Sequence, residues 1–245
     1  MHLICFNLIA DTISSNLDTT TIPRPCITLW RALPLGHMAS KDDSADIDAR
    51  DYLTGQMLIA MPSLGDPRFD RSVIFVCAHD EDHAMGVIVN KPLDDVDLTE
   101  LLTQLEIAPQ EEASSTPVFF GGPVQTERGL VLHTLDYEID STLTLNGEIG
   151  LTASRDILID IAGDNPKRPA PRRFLLAIGH AGWGPGQLEE EIAMNAWAHC
   201  EPDEAIIFDG ATEPIWKRAL SKLGVTSAML STEWASARSD DKPLN

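Results

Sequence analysis

Residues 179–192 read Gly179-His180-Ala181-Gly182-Trp183-Gly184-Pro185-Gly186-Gln187-Leu188-Glu189-Glu190-Glu191-Ile192. An apolar run, Phe174 to Ile178, leads in, the glycines and Pro185 predict a tight, irregular turn, and a helix is expected from Gln187 to His199. Glycine loses more backbone freedom on folding than any other residue. At this density it is expected where φ is positive or where another group comes close.

Working outward, most segments ahead of this stretch read as short strands. Leu53 to Met61, Ser72 to Ala78, Met85 to Val89, Pro117 to Phe120 and Leu130 to Leu135 are apolar or β-branched runs bounded by turn residues. Asp80 to His83 links the second and third as a hairpin, and Asn90-Lys91-Pro92 stops the third. Asn146-Gly147, between Leu143–Leu145 and Ile149–Leu151, is the strongest hairpin signal in the chain. Asp97-Leu98-Thr99-Glu100 fits a capping box before a helix with Leu98, Leu101, Leu102 and Leu105 on one face. Ser154 is placed to cap a helix to Ala162, and Thr212 one over Glu213 to Leu223, while Ala205 to Phe208 is expected as a strand. Hairpins come first and strand–helix units later. The expected class is therefore α+β: a mixed, largely antiparallel sheet, partly curled into a small barrel, with helices packed around it.

The 245 residues suit one principal domain, 51–235. Residues 1–50 read as a disordered leader, with Met38 a candidate start, and 236–245 as a frayed tail. No stretch approaches the length of a membrane span, and the four cysteines form neither a C-x-x-C pair nor a zinc spacing. Buried thiols in a reducing compartment are expected. The net charge of −20 opposes direct binding to nucleic acid, whose affinity rests on phosphate neutralisation. The short basic groups Lys167-Arg168 with Arg172-Arg173, and Lys217-Arg218 with Lys222, read as solvated surface.

The glycine turn does not fit a dinucleotide fingerprint, because Gly182, Gly184 and Gly186 are spaced two apart. Glu189, Glu190 and Glu191 also occupy the start of the expected helix. Each would repel a phosphate by about 4 kcal/mol at 4 Å in an effective dielectric of 20. The helix dipole returns only about 0.3–1 kcal/mol per charge. Hydrolase and nucleotide-loop signatures are missing. His79, His133 and His180 sit on or just after separate strands. With Asp80 they form a conceivable metal set, but satisfied structural histidines are the preferred reading, and no metal or cofactor is expected.

Several segments together resemble the YqgE/AlgH family of bacterial proteins. They are Asp66-Pro67-Arg68-Phe69 with Ser72-Val73, Ala84 through Pro92, Gly121-Gly122-Pro123-Val124, Leu132-His133, Gly182 through Ile192, Asn195-Ala196-Trp197, Phe208-Asp209 and Trp216. The resemblance spans Leu53 to Ser231. His83 stands where the family usually has Gly, His180 where it often has Tyr, and Ala235-Ser236-Ala237 where it has a Gly-His-Ala tail. It implies a compact, soluble, cytoplasmic α/β protein with a partly closed barrel and no assigned activity. The AlgH name carries a link to transcriptional control of exopolysaccharide. This sequence has no helix-turn-helix signal for that role.

The leading expectation is a non-enzymatic binding or regulatory protein acting through a protein or small-molecule partner. Its site is placed on three glycine- or proline-stopped strand ends: Asn90-Lys91-Pro92, Gly121-Gly122-Pro123, and Gly182-Trp183-Gly184 through Gly186 and Gln187. Trp183 is expected as apolar anchor and Gln187 as hydrogen-bond partner. A rival expectation is a hydrolase-type enzyme with His133 as base and Asp66 or Glu189 as partner, which requires His133 beside a carboxylate in an open cleft. A third, direct DNA binding, requires a clustered basic face.

Overall fold

A computed structural model describes residues 52–108, 116–163, 165, 167–209 and 212–225. The expectations for the 1–50 leader, the 236–245 tail, Cys5 and Cys26 lie outside these residues. The described chain runs β1 (Met57–Ala60), β2 (Val73–His79), β3 (Ala84–Ile88), β4 (Pro92–Asp97), α1 (Leu98–Gln104), β5 (Pro117–Phe120), β6 (Val124–Thr134), β7 (Thr142–Leu145) and β8 (Ile149–Thr152). It continues with α2 (Arg155–Ile161), β9 (Phe174–Trp183), α3 (Gln187–Ala193), β10 (Trp197–Cys200), α4 (Glu204–Ile207) and α5 (Thr212–Lys222).

The strands form one sheet in the order β10-β1-β2-β3-β9-β6-β8-β7, with β5 also on β9 and β4 on β5. Every pairing is antiparallel except β5 with β9. The sheet curls into a half-barrel whose end strands, β10 and β7, do not pair with each other among the described residues. The expected α+β class, with its largely antiparallel sheet, is what the chain adopts.

Three apolar clusters hold it together. Met57, Ile59, Phe75, Val87, Leu132, Leu145 and Ile149 pack with Ile215, Trp216, Ala219 and Leu220 of α5. On the other face α1 and α2 set Leu98, Leu101, Leu102, Ile157 and Leu158 against Val118, Val131, Leu176 and Ile178. A third group joins Leu58, Ile74, Val76 and Ile88 to Trp183, Leu188 and Trp197. The Trp216 indole, buried in the first cluster, donates to the Ala60 carbonyl at 2.8 Å.

Local chemistry explains most boundaries. Asn146 (φ 45°) and Gly147 (φ 78°) make the expected hairpin turn with both central residues left-handed. Asp97 caps α1 by accepting from the Glu100 N–H at 2.8 Å. Four expectations need correction. The strand from Phe174 does not end at Ile178 but runs through the glycines to Trp183, and the tight turn starts only at Gly184. The helix from Gln187 stops at Ala193 rather than His199, because Asn195 takes φ 57°. The N–H of Asn195 bonds to the Ile192 carbonyl and that of Ala196 to the Glu191 carbonyl, both at 2.9 Å, which closes the helix in a Schellman motif. Trp197 to Cys200 then becomes an edge strand on β1. Residues 204–207 are a helical turn and not a strand, since Asp203 accepts from the Ala205 N–H at 2.9 Å and caps it. Ser154 stands at the N-cap of α2 but makes no side-chain cap bond.

Candidate functional site

Strand β9 organises the site, and one of its edges is shared by two strands in turn. Leu176 to Ile178 pair in parallel with Val118 to Phe120 of β5, and Ala181 to Trp183 pair antiparallel with Ala84 to Gly86 of β3. At the fork between them, Gly121 and Gly122 cross against β9. The Gly121 N–H donates to the Ile178 carbonyl at 2.8 Å, and its carbonyl accepts from Ile88 at 2.9 Å. A Cβ on Gly122 (φ 148°) would lie 2.1 Å from the His180 carbonyl carbon, and one on Gly179 (φ 74°) would lie 2.4 Å from the Gly122 oxygen. No side chain fits between these two backbones.

Opposite the crossing, β6 bulges. Val124 pairs with His180 and Gly129 with Ile178, so residues 125–128 face Gly179 alone. His180 is 6% exposed, and its Nδ1 has no hydrogen-bond partner among the described residues. Burial, then the nearby Arg128 charge, push its pKa down to about 4, with Glu127 opposing them, so the ring is neutral.

Beyond the fork, Glu191 bolts α3 beneath two tryptophans. Its Oε2 accepts the indole N–H of Trp183 at 2.9 Å and of Trp197 at 2.7 Å, and its Oε1 accepts from Gln187 at 2.8 Å. The two indoles meet edge to face at 5.9 Å, and Phe69 meets Trp197 the same way at 5.8 Å. Gln187 Oε1 in turn accepts from the Gly184 N–H at 3.1 Å. Trp183, expected from sequence as the apolar anchor of a surface site, is 5% exposed and hydrogen-bonded inward, so it offers a partner little area. What β9 and the turn present outward is Gly182, Gly184, Pro185, Gly186 and Gln187. Val124, 36% exposed, lies beside Gly182.

The three strand ends are only partly brought together. Lys91 and Phe120 join through a 2.7 Å backbone bond, and the glycine crossing ties both to β9. Asn90 is buried and structural. Its Oδ1 accepts from Val73 and its Nδ2 donates to the Arg71 carbonyl, each at 2.8 Å. Lys91 Nζ donates to the Arg68 carbonyl at 2.8 Å, and half-burial lowers its pKa against the opposing pull of Asp70 and Asp66. Pro92 opens β4, Gly121 and Gly122 are buried, and Pro123 is half-buried. These groups shape the fork and offer little open surface.

The proposed catalytic set is dispersed. His133 is 0% exposed. Its Nδ1 donates to the Thr134 carbonyl at 3.0 Å, and Nε2 accepts from Thr152 Oγ1 at 2.9 Å, which bonds Thr142 Oγ1 at 2.8 Å. The ring packs where a Cβ on Gly150 would fall, 2.5 Å from Cε1, and burial lowers its pKa. It has neither an open cleft nor a carboxylate partner for base chemistry. Asp66 is held in a bidentate pair by Arg68, closest contact 2.7 Å, and that hydrogen bond depresses its pKa. Glu189 accepts from His79 Nε2 at 3.1 Å, and His79 Nδ1 accepts the Leu53 N–H at 3.0 Å, which fixes the tautomer. His79 and His133 thus serve two separate networks and His180 stands apart from both, and no group of three or more metal-ligating side chains is assembled among the described residues.

A family model described as AlgH-like matches residues 57–228. The chain belongs to the AlgH-like family. A UPF0301 protein of Caulobacter vibrioides is 49% identical over 187 residues, covering 76% of this chain and 94% of that protein. One from Rhodopseudomonas palustris is 47% identical over 199 residues, covering 78% and 89%. The solution structure of the AlgH protein from Pseudomonas aeruginosa is 38% identical, covering 76% of this chain and 97% of its own, with a TM-score of 0.63. A Corynebacterium diphtheriae protein at 21% identity and TM-score 0.53, covering 69% and 85%, shares the fold.

Glu191, central to this AlgH-like site, was read from sequence only as one of three carboxylates at a helix start, and His79 only as part of a conceivable metal set. Trp183 and Trp197 flank Glu191, and a buried indole N–H needs an acceptor. That need was a usable signal. No helix among the described residues is long and apolar enough to cross a membrane.

Proposed function

We propose that this AlgH-like protein is a non-enzymatic binding or regulatory protein of the cytoplasm. It acts through a partner that seats on the outer face of β9 at Gly182 and Gly184. The observation that carries the reading is that these two glycines are exposed and neither is required by the fold. A Cβ on Gly182 would meet Val124 Cγ2 at 3.6 Å and His180 Cδ2 at 4.0 Å, ordinary contacts, and one on Gly184 would meet only Gln187 Oε1 at 4.0 Å. Neither has a positive φ. A bare strand segment with no internal steric reason fits close approach by another molecule.

The commitment of the candidate catalytic carboxylates to structural partners supports binding over catalysis. Cys77 and Cys200, the two cysteines of the described region, are free and buried, as a reducing compartment allows. The test is chemical crosslinking in native cells with the wild type, Gly182→Arg and Gly184→Arg. Both variants are expected to fold with unchanged melting temperature and to lose the same crosslinked species. A crosslinking pattern identical to wild type in both would end the proposal.

A further inference from the structure

Away from the outer face of β9, helices α1 and α2 stand over β6, β8 and β9 and leave a partly enclosed cavity of about 90 Å³. Its walls are carbon: Leu101 and Leu105 of α1, Leu158 of α2, Val131 of β6, and Leu176 and Ile178 of β9. Water needs two to four polar partners to be held well, and these six side chains supply none.

Gly129 also lines the cavity, and nothing in the fold demands a glycine there. A Cβ at that position would meet only Leu176 Cδ1, at 3.8 Å. The missing side chain is what leaves the space open.

Three polar residues also line this cavity, and the Thr152 hydroxyl is already committed to His133 and Thr142. Ser154 has cap backbone angles, φ −112° and ψ 155°, from which a serine hydroxyl normally accepts an N–H of the first helical turn. It makes no such bond, and its Oγ is buried without a partner among the described residues. Arg155 follows it. One guanidinium nitrogen donates to the Leu105 carbonyl at 2.7 Å, which anchors the group at the α1 side of the cavity. A guanidinium has five N–H donors, and this bond uses one of them.

We propose that this cavity binds a short aliphatic carboxylate, with its chain among the leucines and its carboxylate on Arg155 and the Ser154 hydroxyl. The net charge of −20 does not prevent this, because repulsion from distant acids is screened beyond about 8 Å at physiological salt. The adjacent guanidinium is well inside that range and would pair with the carboxylate directly, against the opposing charge of Asp156 in the first turn of the same helix. The site is independent of the Gly182–Gly184 surface, so neither proposal stands or falls with the other.

The experiment is a methyl-resolved NMR titration of the full chain with sodium hexanoate and, separately, with hexan-1-ol. Hexanoate should shift the methyls of Leu101, Leu158 and Ile178 saturably, about ten-fold more tightly than the alcohol, as a charge-assisted pair requires. Gly129→Val should abolish saturation while the remaining spectrum is unchanged. Arg155→Gln, at an exposed position, should bring hexanoate down to the affinity of the alcohol. Absence of saturable shifts in the wild type, equal affinity for acid and alcohol, or undiminished binding in a folded Gly129→Val chain would each overturn the proposal. If Gly129→Val does not fold, the wild-type titration and Arg155→Gln still decide it.

Discussion

Strand β9 carries two glycine regions that look alike in sequence and differ physically. At the fork, Gly179 meets Gly122 across a gap too narrow for any side chain, and both hold positive φ. Three residues later, Gly182 and then Gly184 have ordinary backbone angles and open surroundings. The first pair is demanded by the packing of the chain on itself. The second is not, and on the function proposed above a binding partner is what it leaves room for. Glycine density alone does not separate a structural requirement from a recognition surface. The space around each absent Cβ does.

The sharpest way to break this contrast is Gly122→Ala. The new methyl would sit 2.1 Å from His180 backbone at a φ of 148°. A loss of at least about 3 kcal/mol is expected, read by urea denaturation, because backbone must move to admit it. A loss under about 1 kcal/mol would mean the crossing is looser than its geometry.

Next in size is Glu191→Ala, which leaves two buried indole N–H groups without an acceptor. At about 1–3 kcal/mol per orphaned donor, a total near 3 kcal/mol is expected, together with a red shift of tryptophan emission. Glu191→Gln keeps an acceptor oxygen and should lose about half as much.

A third test is acidification. His180 and His133 both have folded pKa values below 6.5, so the unfolded chain binds protons that the folded chain refuses. Their contribution is fully present above pH 6.5 and falls as the pH drops toward about 4, where His180 itself titrates. Stability measured at pH 7, 5.5 and 4 should decline, and His180→Asn should flatten the slope.

The smallest expected effect is Gly182→Ala. It should change stability by less than about 1 kcal/mol, and a slight gain is the expected sign, because alanine narrows the unfolded ensemble where the native backbone tolerates it. A loss as large as that of Gly122→Ala would erase the distinction between the two regions.

Much of the fold was legible in the sequence because its signals are local. Asn146-Gly147 specifies its own turn, Asp97 its own cap, and the β-branched runs their own strands. What escaped was decided by partners distant in the chain. Gly179 to Trp183 looks like a turn until β3 and β6 are present to pair with it. The Ala196 to His199 stretch keeps a helical stripe, yet Asn195 turns it back toward β1. Pro202-Asp203-Glu204 carries an N-cap signal that the expectation of a strand over Ala205 to Phe208 did not use.

The site was legible only in outline. The chain-order proximity of Trp183 to the glycines suggested an apolar anchor for a partner, and only the position of Glu191 reveals that the ring points inward. His133 drew attention as a possible base, but Gly150 and Thr152, which enclose it, become its neighbours only through the pairing of β6 with β8.

The edge-sharing of β9 also bears on how the chain is made. Its partners in β3, β5 and β6 all precede it, so as the protein leaves the ribosome each can pair with β2, β4 or β8 on one side but keeps a bare edge on the other. Until residues 174–183 appear, the nascent polypeptide holds its earlier hairpins apart, a period in which unpaired strands invite contact with other chains. Completion of the sheet is thus a late, nearly single event in synthesis, and molecular chaperones have most to protect just before it.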